Sequence, residues 1–462
     1  MSGKKKFSQA FWVANFAELL ERAAYYGVFI VITLYLSNIL GFNDLQAAAI
    51  AGTFSALLYF LPTFAGAYAD KIGFKKSLML AFGLLSVGYA GLAIFPTFLE
   101  GAGLVEYGET TIFHGLKNAN VRYGILPIMA LIVIGGSFIK SVITGTVSIE
   151  TSKKNRAQGF SIFYTIVNIG AFSGKTIVKP LRDAMGDMGY ININYFSAGM
   201  TLLALIAVWL LFKPSNRQRE GKTFGEIWKA FIKVLTNVRL VSLIIIITGF
   251  WMVQNQLYAT MPKYVIRMAG ENAAPSWYAN VNPLVVFCTV ALITSLMKRR
   301  TALLSMIIGM FIMPVSALCM AAGNLFSPDA AMPFGMHPIA FMMVVGIGFQ
   351  GLAESFISPR FLEYFSLQAP KGEEGLYLGF SHLHSFLSSL LGFIMSGFLL
   401  EHYCPDPNKF GGKTTEWLAA SSNAHYIWYY FGAIAMISAV ALIIYGIAVR
   451  KMDANKSNAA AL

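Results

Sequence analysis

Residues 426–449 read YIWYYFGAIAMISAVALIIYGIAV, twenty-four positions without Asp, Glu, Lys or Arg, with Arg450 and Lys451 directly after them. The hydrocarbon core of a bilayer is crossed by roughly 20 predominantly apolar residues in one helix, so this stretch is long enough to span it. Eleven more runs of the same kind lie near 11–38, 45–69, 76–96, 124–147, 158–178, 194–213, 240–260, 280–297, 302–323, 337–360 and 375–400. A membrane β-barrel would show ~10-residue segments of alternating polarity instead. These runs are too long and too continuously apolar for that. The composition agrees: 56% of the 462 residues are hydrophobic and 12% are charged, about half the ~25% charged residues of a soluble domain. The expected fold class is an all-α membrane protein with twelve transmembrane helices.

Lys and Arg in the connections set the orientation of such a chain. With the N-terminus inside, 24 of the 35 basic residues fall on the inner side and nine on the outer side. Lys117, Arg122, Lys175, Lys179, Arg182, Lys263, Arg267, Lys409 and Lys413 make up the outer set. Both termini are therefore expected in the cytoplasm, with the chain in the cell (inner) membrane. The net charge of +13 follows from this topology, and a nucleic-acid partner has no support. The start, MSGKKK, leads towards Phe11 without a cleavage-like segment. Cys288, Cys319 and Cys404 have no motif spacing, so neither a disulfide framework nor a metal site is expected.

A basic stretch, 213–239, separates the sixth and seventh runs. In it Phe224, Ile227, Trp228, Phe231, Val234 and Leu235 recur at helical spacing, behind Thr223 and Glu226 as a capping box. The reading is a short amphipathic helix on the inner membrane surface, with a soluble linker helix as the alternative. The expected organisation is a six-helix half over 1–213, a linker over 214–239 and a second six-helix half over 240–462.

Ionisable groups inside spans are few: Glu18, Glu21 and Arg22 in the first, Lys140 in the fourth and Glu354 in the tenth. Each costs at least ~2.5–3.5 kcal/mol at mid-bilayer, which makes it a functional candidate. Glu18 and Arg22 are four apart, as are Glu21 and Tyr25, so they form one polar stripe on the first helix. Two carboxylates and one guanidinium in a low-dielectric space cannot all be charged cheaply, and one carboxylate is expected to exchange a proton. The competing reading is a static buried salt bridge. Lys140 and Glu354, separate positive and negative poles on other spans, favour the functional reading.

The stretch Glu18-Leu-Leu-Glu21-Arg22-Ala-Ala-Tyr25-Tyr26-Gly27 resembles the ExxER…YYG signature of the proton-coupled oligopeptide transporters, a family of the major facilitator superfamily. Tyr59-Phe-Leu-Pro62 and Gly66-Ala-Tyr-Ala-Asp70-Lys71-Ile-Gly73-Phe-Lys75-Lys76 resemble the superfamily's loop between spans two and three. Gly135-Gly136 with Lys140 is similar to the family's fourth-span motif. Phe163-Tyr164-Thr-Ile-Val-Asn168-Ile-Gly170 is similar to its fifth-span FYxxxNxG signature. Asn282-Pro283-Leu284 and Glu354-Ser-Phe-Ile-Ser358-Pro359 resemble its eighth- and tenth-span motifs. The resemblance runs over most of the chain, in the right order and on the right spans.

That resemblance implies a 6+6 major facilitator fold and import of di- or tripeptides with protons by alternating access. It implies that Arg22 and Lys140 hold the peptide carboxylate, that Glu354 faces the peptide amino group, and that Asn168 and Asn282 assist. Glu21, with Glu18, would be the proton-coupling pair, while Tyr25, Tyr26, Tyr59 and Tyr164 would line the pocket. Asp70 belongs to a gating and topology loop. The sequence also departs from the family. Members usually pair an arginine one turn after the YYG with a span-seven glutamate as an outer gate; the matching places here are Phe29 and Asn255. Both charges are absent together, so an apolar or neutral outer gate is expected. Span eleven offers His382 and His384 where a tryptophan is common, read chiefly as polar packing and otherwise as proton relays. The linker is too short for the additional helix pair of many bacterial members.

No nucleophile–base set, metal-ligand cluster or phosphate-cradling loop lies on one face, so an enzyme is not expected. The expected partners are a short peptide, protons and the lipid bilayer, with no cofactor and the monomer as the working unit. The rival reading is proton symport of another small zwitterion or carboxylate.

Overall fold

The computed structural model describes residues 7–107, 119–151, 156–213, 223–368 and 380–459. His114, several loop lysines (Lys4–Lys6, Lys117, Lys153, Lys154, Lys371), the linker stretch 214–222 and the side chain of Asp70 lie outside the described residues. The described chain is helical, with no β-strand. It divides into two compact units: one runs to Asn43 and then from Leu57 to Ile227, and the other takes Asp44–Ala56 and the chain from Trp228 onward.

The first unit opens with α1 (Gln9–Phe29), where the Ser8 hydroxyl accepts from the Phe11 amide at 3.1 Å as N-cap. After Val31 the chain continues through Ile32–Leu34 into a π-helical turn, Tyr35–Ile39, bent by 46° from α1. Then follow α2 (Asp44–Phe60), α3 (Pro62–Ile72), α4 (Phe74–Gly101), α5 (Ile125–Glu150), α6 (Arg156–Met185) and α7 (Met188–Leu211). Pro62 starts α3 where its missing N–H is harmless. Gly73 turns α3 into α4 at φ +86°, a left-handed conformation that costs glycine nothing. Within this unit α1 packs on α5, α6 and α7, and α4 packs on α5 and α7.

α8 (Phe224–Leu235) is the short helix of the linker. The Thr223 amide donates to the Glu226 carboxylate at 2.7 Å, and the Glu226 amide donates back to Thr223 Oγ1 at 3.3 Å, a reciprocal cap. Ile227 and Val234 are buried, whereas Phe224, Trp228 and Leu235 are exposed on another face.

The second unit holds α9 (Val238–Gln254), a short Gln256–Ala259 turn, α10 (Met261–Ala269), α11 (Val281–Met297), α12 (Ala302–Ala322), α13 (Pro338–Leu367), α14 (Leu383–Tyr403) and α15 (Tyr426–Ala459). α12 packs on α13 and α15, α11 on α13, and α9 on α14 and α15.

Among the described residues ten helices are long and apolar enough to cross a membrane, and the bent first pair makes eleven. The remaining expected span, 158–178, is α6. It is 30 residues long but carries Lys175, Lys179, Arg182 and Asp183 near its end, which lowers its apolar character. Large apolar side chains such as Val87, Phe98, Trp209, Phe287 and Ile437 stay exposed along the helices, the surface a bilayer covers rather than water.

Two placements differ from the sequence reading. Lys175, counted in an outer loop, lies inside α6 and is buried, and Lys263 and Arg267 lie on α10 and are buried too. An apolar run marks only the stretch that faces hydrocarbon. A helix continues past it wherever neighbouring helices supply partners for its charges.

The α1–α6 crossing is tight at Gly170. A β-carbon there would lie 2.6 Å from the Leu19 carbonyl oxygen and 2.7 Å from Arg22 Cβ. Gly170→Ala should therefore destabilise the protein by about 1–3 kcal/mol, the usual penalty of overpacking, and should reduce transport because Arg22 is displaced. Thermal unfolding in detergent and uptake measured together check this; wild-type values for both would mean that α1 and α6 separate freely.

Candidate functional site

The charges of α1 lie together because residues three and four apart share a helix face. Glu18 and Glu21 are buried, and Arg22 sits between them. Arg22 Nε is 3.3 Å from Glu18 Oε1, and the guanidinium also pairs with Glu21. The second Glu18 oxygen, Oε2, is buried and makes no hydrogen bond. The guanidinium carbon lies 5.3 Å from the Tyr25 ring centre and 6.0 Å from that of Tyr26, within the range of cation–π attraction. Tyr25 stacks on Phe29 at 5.1 Å, so Phe29 packs within the aromatic set of its own helix.

Lys140, on α5, is half-buried with its ammonium 4.3 Å from the centre of the Tyr59 ring. It lies within electrostatic range of Glu18, Glu21 and Arg22. The first unit thus brings Glu18, Glu21, Arg22, Tyr25, Tyr26, Lys140 and Tyr59 into one polar region. Lys175, on α6, adds a cation that the sequence reading placed in a loop; its ammonium lies 5.6 Å from the Tyr26 ring centre. Its signal was present in the sequence, seven residues after Asn168 on the same helix, two turns on and so on a nearby face. Tyr164 is 53% exposed, and the Asn168 amide donates to the Tyr164 carbonyl one turn back at 2.8 Å.

In the second unit Glu354, on α13, is half-buried and held by two amides. Gln254 Nε2, from the end of α9, donates to Glu354 Oε2 at 2.9 Å, and Asn282 Nδ2, from α11, donates to the same oxygen at 3.3 Å. Asn282 was expected here and Gln254 was not. Its only signal was its place one residue before Asn255. Asn255 itself donates to the hydroxyls of Ser388 (3.2 Å) and Ser389 (3.4 Å), which ties α9 to α14. His384 is buried, stacked on Trp251 at 5.4 Å and edge-on to Phe361 at 4.9 Å, an aromatic packing position. Among the described residues no group of three His, Cys, Asp or Glu side chains could hold a metal ion.

One unit thus holds a guanidinium and an ammonium near a carboxylate pair, and the other a carboxylate that accepts from two amides. Arg22, by contrast, already faces two acids.

The sequence matches the Major Facilitator Superfamily model over residues 14–332. Dipeptide and tripeptide permease B of Photorhabdus asymbiotica is 25% identical over 437 residues, 84% of this chain and 86% of that one. Dipeptide and tripeptide permease A of Escherichia coli (strain K12) is 24% identical over 436 residues, 85% of each. Among solved structures, a peptide transporter POT in complex with sulfate superposes with a TM-score of 0.69 at 19% identity, covering 97% of this chain and 96% of that one. Tetrameric PepTSo2 does so with a TM-score of 0.70 at 17% identity, covering 96% and 99%. These similarities give the fold.

Removing the cation of α1 should be costly. Arg22→Met leaves Glu18 and Glu21 buried without their counter-charge, a loss of about 3–5 kcal/mol for such a pair. Adding Glu18→Gln should restore part of that stability by removing the repulsion. Thermal unfolding of the single and double variants reads this directly. If the double variant is no better than Arg22→Met, the arginine acts through the packing of its stem.

Proposed function

The chain belongs to the Major Facilitator Superfamily, and we propose from that premise that it is a member of the proton-coupled oligopeptide transporter branch and imports di- and tripeptides together with protons. As a transporter it is not an enzyme. The observation that carries the reading is the placement of the intramembrane charges: Arg22 and Lys140 beside Glu18 and Glu21 in one unit, Glu354 with its two amides in the other.

A peptide is a zwitterion, and a buried charge is tolerated only when paired. Arg22 and Lys140 take the peptide carboxylate, and Glu354 takes the amino group, with Gln254 and Asn282 holding the carboxylate in register. Asn168 assists, and Tyr25, Tyr26, Tyr59 and Tyr164 line the path. Proton coupling follows from the shared guanidinium. A proton taken up by Glu21 or Glu18 removes one of the acids that Arg22 faces and leaves guanidinium donors for the peptide carboxylate. Release of the peptide returns Arg22 to both acids and favours loss of the proton. Substrate and proton thereby bind better together than apart, which is the requirement for symport.

The transport step is the alternation of two six-helix halves, 1–213 and 240–462, with 214–239 as the linker. Phe29, Asp70 and Asn255 act in gating. Both termini lie in the cytoplasm, the membrane is the inner one, the monomer is the working unit, and the proton gradient drives uptake without a cofactor.

Liposomes containing the purified protein and an internal pH dye test the central claim. External dialanine should acidify the lumen, and Glu21→Gln should abolish acidification and accumulation while retaining exchange of labelled dipeptide. Acidification undiminished in Glu21→Gln would remove that residue from coupling.

The two binding poles separate by ligand. Lys140→Ala should weaken dipeptides with a free carboxylate by about tenfold or more, as expected for loss of roughly 1.4 kcal/mol, and spare carboxyl-blocked ones. Glu354→Gln should do the same for free amino groups. Competition of labelled dipeptide uptake by blocked and unblocked ligands distinguishes them; equal losses for both ligand classes would assign these residues a structural role.

A further inference from the structure

Lys175, a buried cation of the first unit, has no part in the coupling scheme built on Arg22. It is 1% exposed, and an ammonium kept from water within a membrane helix is costly enough to be a functional candidate. Small residues fix its place. Gly170 and Gly174 lie four apart on α6, and Ala23 and Gly27 lie four apart on α1, the spacing that lets two membrane helices approach closely. A β-carbon on Gly174 would run into the Ala23 carbonyl, and one on Gly27 would lie 3.2 Å from the Gly174 carbonyl oxygen.

The backbone of α6 is therefore pressed on α1 at the residue before Lys175. From there the ammonium reaches to 5.6 Å from the centre of the Tyr26 ring, and the Arg22 guanidinium carbon is 6.0 Å from the same centre. Two cations share one ring, both within the range of its attraction. Among the described ionisable side chains of this region, Arg22, Lys140 and Lys175 stand against Glu18 and Glu21. Symport protonates one of those acids and brings in one peptide carboxylate, which leaves three cations against two anions. A second carboxylate on the ligand makes the two sides equal.

We propose that Lys175 is a specificity-determining residue that biases the transporter towards peptides with an acidic side chain, whose carboxylate binds beside Tyr26. The assignment rests on the transport reading and names its substrate class. Tyr26 is half-buried, so the ligand meets the ring while the ammonium behind it acts through its field. A charge in a low-dielectric site acts over several ångströms without contact, and one shut off from water is little screened by salt. The charge of Lys175 adds to that of Arg22 and Lys140, and a peptide with a cationic side chain is disfavoured by the same field.

Liposomes holding the full chain read this by competition against uptake of labelled dialanine, with unlabelled dialanine, alanylglutamate and alanyllysine as competitors. The parent should prefer alanylglutamate to dialanine, and dialanine to alanyllysine. Lys175→Met, which keeps the stem and drops the charge, should weaken alanylglutamate relative to dialanine by about tenfold, the factor that roughly 1.4 kcal/mol supplies. Lys175→Arg should keep the parent order. An equal loss for both peptides in Lys175→Met, the mark of a lysine that only props the Tyr26 ring, overturns the assignment. If Lys175→Met does not fold, Lys175→Gln reads the same ratio with the same meaning. A parent that takes up no peptide sinks the transport reading and this assignment together, whereas equal affinity for all three sinks the assignment alone.

Discussion

Arg22 between Glu18 and Glu21 is the interaction on which the rest depends. A guanidinium held in a helix bundle must have an acid, and here it has two. One cation with two competing anions is not a finished ion pair. It differs in geometry from a simple buried salt bridge, in which each charge has one partner. The arrangement depends on α1 keeping all three side chains on one face, and on Gly170 letting α6 come close enough to shut out water.

The other buried charges obey the same constraint in different ways. Glu354 accepts from the amides of Gln254 and Asn282. Asp44 is instead saturated, with an ammonium and a guanidinium both on its carboxylate.

Much of this was legible beforehand. The apolar runs gave the helical class and nearly all the spans, and the ExxER stripe gave its own pairing, because spacing along a helix decides which side chains meet. Thr223 and Glu226 were likewise readable as a cap. The roles of Lys175, Gln254, Lys263 and Arg267 were not. Lys175 and the two α10 cations look like loop charges when hydropathy alone sets the span ends, and Gln254 has no local sign that its amide reaches α13. Their partners lie 100 or more residues away in the chain, as in the Gln254–Glu354 and Lys263–Asp44 contacts, or across a helix packing that periodicity cannot specify.

The sequence by itself determined that the chain is a helical membrane protein and that Glu18, Glu21 and Arg22 share one helix face, since hydrocarbon length and helical period are properties of consecutive residues. Only the tertiary structure decided which charge answers which. A buried charge needs a partner in contact, and contact between helices is set by how their surfaces pack, at places such as Gly170 and Gly174, rather than by their order in the chain.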